Sequence, residues 1–99
     1  MPGSNDRPNV IFLMTDALRA TALGLYGNRD VRTPHLERMA DEGCFFEWTY
    51  CPNPSCVPSR CAVLTGRYPH TCRSRVNFVL LQPEERTFPE DLRDAGYQV

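Results

Sequence analysis

The chain has 99 residues, with 11 basic and 12 acidic side chains and a net charge of −1, a length ordinary for one small domain. Both signs are mixed along it, which leaves no basic stripe for nucleic acid and no amphipathic helix for a membrane surface. The longest apolar run is far too short to cross a bilayer, and no signal-type apolar segment precedes the first element, so a cytoplasmic place is expected unless the true start lies further upstream.

Residues 1–6 read as a polar tail. Arg7-Pro8-Asn9 then leads into Val10-Ile11-Phe12-Leu13-Met14, a continuous apolar run of strand length, as expected of a strand covered on both faces of a parallel sheet. Thr15 and Asp16 end it. In open α/β sheets ligands bind beyond the carboxyl ends of strands, which makes Asp16 a candidate site residue and, by its oxygen donors, a candidate ligand for a hard divalent cation. Its bland alternative is a helix N-cap ahead of Ala17-Leu18-Arg19-Ala20.

Thr33-Pro34 opens an amphipathic helix through Leu36, Met39 and Ala40, which Gly43 ends. His35 reads as a surface or capping residue of that helix. Cys44-Phe45-Phe46-Glu47-Trp48-Thr49-Tyr50 has the aromatic, β-favouring composition of a strand. The loop Cys51-Pro52-Asn53-Pro54-Ser55 delivers the chain to Cys56.

Pro58 suits the first turn of a helix and disfavours helical backbone at Val57, which puts Cys56 just before a helix that runs from Ser59 through Arg60-Cys61-Ala62-Val63-Leu64 and stops at Gly66. A helix N-terminus attracts sulfate or phosphate oxygens through its spare N–H groups and its dipole. Arg60 adds a planar cationic donor array suited to an oxyanion. Nucleophile and anion clamp would thus come from one turn. Residues 71–86 read as an irregular surface segment without legible chemistry, and His70 before it as a structural or solvated residue. Thr87-Phe88-Pro89-Glu90 has the spacing of a capping box, with a helix through Ala95 and Gly96 as its stop; Tyr97-Gln98-Val99 opens a further strand.

Cys56-Val57-Pro58-Ser59-Arg60 with Leu64-Thr65-Gly66-Arg67 resembles the formylglycine signature of the sulfatases. The segment from Arg7 to Gly27, closing on Leu23-Gly24-Leu25-Tyr26-Gly27, is similar to that family's opening segment, and the helix from Thr33 to one that carries no chemistry there. The resemblance implies an α/β, alkaline-phosphatase-like, doubly wound sheet with helices on both faces, incomplete in this chain. Residues 7–99 would be the N-terminal portion of a larger catalytic domain. It implies sulfate ester hydrolysis, with Cys56 oxidised by a formylglycine-generating maturation enzyme to an aldehyde whose hydrate attacks sulfur, and with Arg60 stabilising the charge. It further implies a divalent metal, calcium first and magnesium or manganese after it, held by Asp16 and the group derived from Cys56. The substrate class is a small-molecule or saccharide sulfate ester. A catalytic lysine and histidine and the other metal ligands lie, in the family, beyond the Ala95-Gly96-Tyr97 segment, so these residues alone are expected to be inactive and poorly stable.

The sequence departs from the commonest family pattern at Ala17, where many members carry a second metal-binding aspartate. Relatives with one aspartate occur among sulfatases and among phosphonate monoester and phosphodiester hydrolases of the same superfamily, which are the alternative reading. Two readings of other classes stand beside it. One is a non-catalytic remnant. The other is a zinc-binding module, since Cys51, Cys56 and Cys61 recur every five residues and Cys44 and Cys72 lie near; against it, no properly spaced second pair follows. An odd cysteine count without a secretory signal does not favour a disulfide framework.

Overall fold

A computed structural model describes residues 7–99 of the protein. The polar tail expected at residues 1–6 lies outside the described residues. The chain divides into two compact units, Met1–Phe46 and Glu47–Val99.

In the first unit, residues 7–15 take no regular secondary structure. The apolar run is exposed, with Ile11 at 90% and Leu13 at 82%. Two short 3-10 turns follow, Ala20–Ala22 and Gly24–Tyr26, and then helix α1, Pro34–Glu42, bounded by Thr33 and Gly43 as the sequence predicts. Thr33 is the N-cap by position, yet its hydroxyl does not bond the helix amides. It accepts from the Gly24 N–H at 3.2 Å and donates to Glu37 Oε1 at 3.1 Å, which ties α1 to the preceding turn. The approach favours glycine at 24: a Cβ there would sit 2.5 Å from Glu37 Oε1 and 2.9 Å from Thr33 Oγ1, so those side chains would have to shift. Tyr26 closes the unit, its ring edge-on to Phe45 at 5.3 Å and its hydroxyl donating to the Phe46 carbonyl.

The second unit carries helix α2, Cys56–Thr65, and helix α3, Phe88–Asp94, which touch each other. Its small core comprises Pro58, Cys61 and Ala62 from α2 with Cys72 and Ser74 from the segment that follows. Gly66 stops α2 in the left-handed region, at φ 66°, with its N–H on the Ala62 carbonyl at 2.8 Å. The predicted capping box is formed: the Thr87 N–H and hydroxyl donate to Glu90 Oε2 at 2.8 and 2.9 Å. Both bonds favour the ionised carboxylate and hold the Glu90 pKa below its usual value. Arg86 pairs with Asp91 and Asp94 along α3, which raises the arginine pKa and lowers that of Asp94.

Apart from the start of α2, the helices agree with the sequence, but the sheet is not built. Among the described residues no strand is present, and 10–14, 44–50 and 97–99 run as turns or irregular backbone. The physical reason is non-local: an isolated strand leaves a row of backbone donors and acceptors without partners and cannot bury either face. Ile11 in the first unit and Trp48 and Tyr50 in the second are left exposed.

Candidate active site

Cys56 is a free, exposed thiol. It stands at the first position of α2, after Ser55 in extended conformation (φ −86°, ψ 143°). This corrects the expected helix start. The Ser59 N–H bonds the Ser55 carbonyl at 3.0 Å, so the helix begins at Cys56, and Val57 is helical although a proline follows it. Pro58 is thereby the third helical residue, where a missing N–H forfeits no intrahelical bond.

The start of α2 is less open to an anion than its sequence suggests. The Ser55 N–H donates to Asn53 Oδ1 at 2.8 Å, and the Val57 N–H donates to Asn77 Oδ1 at 3.1 Å. Pro58 has no N–H, and that of Ser59 is already in the helix. Of the first-turn amides only the Cys56 N–H is without a partner among the described residues. Arg60 lies one turn after Cys56 on the same helical face and is exposed. An exposed thiol, one amide and a guanidinium therefore share the N-terminal end of α2.

Asp16 is exposed in the first unit and caps no helix, since the turn that follows begins at Ala20 after Arg19. Ala17 beside it has φ 43°, a left-handed value that costs a residue with a Cβ about 1–2 kcal/mol. Strain of this kind gathers at functional sites. His35 is exposed on α1, and His70 stacks on Tyr68 with ring centroids 5.6 Å apart. Among the described residues no three His, Cys, Asp or Glu side chains gather to hold a metal ion. The five cysteines form no such group either: Cys44, Cys51 and Cys56 are exposed and Cys61 and Cys72 buried. Asp16 offers oxygen donors of the right chemistry for calcium or magnesium.

An open depression of about 300 Å³ borders the other end of α2, lined by Pro52, Ala62, Val63, Gly66, Arg67 and Tyr68. None of the candidate catalytic residues lines it. Asn53 and Asn77 are the contributors that sequence reasoning missed. Asn53 precedes the helix by a short step that marks it as a capping residue, whereas Asn77 comes from 20 residues away, in a segment with no local signal of a role.

Residues 8–99 match the Sulfatase family. Similar curated proteins include an N-acetylglucosamine-6-O-sulfatase of Bacteroides thetaiotaomicron, 39% identical over 93% of this chain and 16% of its own. An ulvan-active sulfatase of Formosa agariphila is 37% identical over 92% of this chain and 18% of its own, and a steryl-sulfatase of Rattus norvegicus 41% identical over 91% and 18%. The chain thus spans less than a fifth of the length of these relatives. No solved structure matches it. With the signature cysteine and arginine on one face of α2 and the family match running from Pro8 to the last residue, the chain belongs to the sulfatase family.

Proposed function

We propose that the whole protein hydrolyses a sulfate ester, with Cys56, matured to formylglycine, as the nucleophile. The observation that carries this reading is the exposed, unpaired thiol at the first residue of α2, with Arg60 one turn on, in a chain of this family. A thiol there is open to a maturation enzyme, and the aldehyde left in its place would be hydrated. One hydroxyl of the hydrate attacks sulfur and the alcohol departs, leaving a sulfated hydrate. Loss of the proton from the second hydroxyl re-forms the aldehyde and expels sulfate. A serine or unmodified cysteine would lack this internal route out. Arg60 and the Cys56 N–H would bind ester oxygens and stabilise their charge.

Asp16 and the hydrate are proposed as two ligands of a divalent cation, calcium first, which would polarise the ester oxygens when bound; the other ligands would come from outside residues 1–99. Relatives named for N-acetylglucosamine-6-O-sulfate, ulvan and steryl sulfate cleavage support a saccharide or small-molecule sulfate ester as substrate. Ala17, whose side chain has no donor atom, supports a second reading within the superfamily, phosphonate monoester or phosphodiester hydrolysis by the same hydrate. A cytoplasmic location is part of the proposal, to be checked by cell fractionation.

The test is mass spectrometry of full-length protein co-expressed with a formylglycine-generating enzyme. The tryptic peptide ending at Arg60 should be about 18 Da lighter than its thiol form, the difference between a thiol carbon and an aldehyde. A thiol that persists under those conditions sinks the mechanism. Relative rates on paired aryl sulfate and aryl phosphonate esters separate the two substrate readings.

A further inference from the structure

We propose that Asn77 is a positioning residue for the nucleophile, acting by pinning the peptide plane between Cys56 and Val57. The inference rests on the sulfate ester reading for its catalytic consequence, though the contact itself is independent of that reading. Ser55, the N-cap of α2, makes no side-chain bond to the helix. The bond to the second helical amide comes instead from Asn77, whose Oδ1 accepts from the Val57 N–H at 3.1 Å across 20 residues.

The segment that returns Asn77 to the helix start is a built structure. Thr71 and Cys72 both donate their N–H groups to the Tyr68 carbonyl, at 2.8 and 3.1 Å. Cys72 and Ser74 are fully buried. Val79 donates to the Val76 carbonyl at 3.2 Å, closing a turn with Asn77 in its centre, and the Ser74 hydroxyl donates to the Val79 carbonyl at 3.4 Å, bracketing that turn from both sides. Two buried side chains and a hydrogen-bonded turn thus present one exposed asparagine to one amide.

The consequence for Cys56 follows from peptide planarity. Fixing the Val57 N–H fixes the whole plane that includes the Cys56 carbonyl and α-carbon. The preceding plane is held in turn by the Ser59 N–H on the Ser55 carbonyl at 3.0 Å. With both flanking planes fixed the backbone dihedrals of Cys56 are restricted, and with them the direction of its Cβ, from which the nucleophilic hydrate would project. A misplacement of about 1 Å at a nucleophile can cost about 100-fold in rate. An asparagine, unlike an aspartate, supplies the acceptor without placing negative charge beside an anionic ester.

The experiment compares wild type, Asn77→Ala and Asn77→Asp in full-length matured protein. It reads kcat and KM on nitrophenyl sulfate, melting temperature, and hydrogen exchange of the peptide that carries Val57. The Ala variant is expected to exchange at least about tenfold faster at that peptide and to lose about 10- to 100-fold in kcat, with KM within about threefold. Asn77→Asp keeps an acceptor, so it should retain Val57 protection and recover most of kcat, while its added charge raises KM. Unchanged exchange in Asn77→Ala overturns the proposal whether or not any sulfate ester is cleaved. So does lost protection with kcat intact, or a kcat loss shared equally by both variants and paralleled by a fall in melting temperature. Failure of the sulfatase reading has a different signature: wild type itself keeps a Cys56 thiol and turns over no sulfate ester, and the exchange comparison then decides the pinning alone.

Discussion

Replacing Gly66 by alanine isolates one backbone term at the end of the helix that carries Cys56. Gly66 has φ 66° and ψ 14°, and a Cβ built on it meets nothing within 4 Å. The cost is therefore conformational and not steric: about 1–2 kcal/mol for an alanine held in the left-handed region, less about 0.4–1 kcal/mol recovered because alanine has less freedom to lose from the unfolded chain. The net loss should be about 1 kcal/mol. Gly66→Asn introduces a side chain that tolerates this region and should lose about half as much. Local consequences should stay near the last turn, where the Thr65 hydroxyl donates to the Cys61 carbonyl at 2.7 Å and accepts from the Arg67 N–H at 3.3 Å. Equilibrium urea unfolding of the full-length protein, with hydrogen exchange of residues 61–67 alongside, measures both the size and the location. Stability equal to or above wild type in Gly66→Ala would refute the left-handed cap. A loss of several kcal/mol would refute the claim that the site is sterically open.

Two further perturbations probe the second unit. Glu90 has a pKa depressed first by the Thr87 N–H and then by its hydroxyl, so its contribution to α3 is present above the unfolded value of 4.5 and lost as pH falls through the lower folded value. Protection factors for residues 87–96 should fall between about pH 5 and pH 2 in wild type and less steeply in Glu90→Gln, where the depressed Asp94 carboxylate paired with Arg86 still titrates; equal dependence in the two would contradict the capping box. Arg67 Nη1 meets Glu85 Oε2 at 2.6 Å, with the glutamate side chain only 12% exposed. Arg67→Met leaves that carboxylate short of a partner and should cost about 1–2 kcal/mol in urea unfolding. Adding Glu85→Gln should recover most of the loss, and a double variant no better than the single would deny the coupling.

What is legible in the sequence is what is local. Thr33-Pro34 with Gly43, Thr87 with Glu90, and Gly66 each set a helix boundary through contacts within a few residues, and all appear where expected. The start of α2 is displaced by three residues because Pro58 reads naturally as a first helical residue, although any first-turn position spares it a lost bond. The segments at 10–14 and 44–50 have the composition of strands, but strand formation depends on a partner's backbone, which composition cannot supply. Asn77 is invisible for the same reason: its role is defined by the Val57 amide 20 residues earlier, and nothing near it in sequence marks it.

These non-local contacts alter how the signature would grip a sulfate group. Read alone, Cys56 to Arg60 promises a helix end with several free amides. In the folded chain Asn53 and Asn77 occupy two of them, Pro58 removes a third, and the Ser59 amide is spent on the helix itself. An ester oxygen arriving there meets one main-chain donor, at Cys56, and the guanidinium of Arg60. Within the start of α2, the donors offered to an anion under the proposed function are thus the nucleophile's own amide and one cation, and the other amides serve to hold that residue still. The division also explains why a proline in the first turn is harmless: it removes a donor from a position where no ester oxygen need bind, while its ring is buried in the core of the second unit.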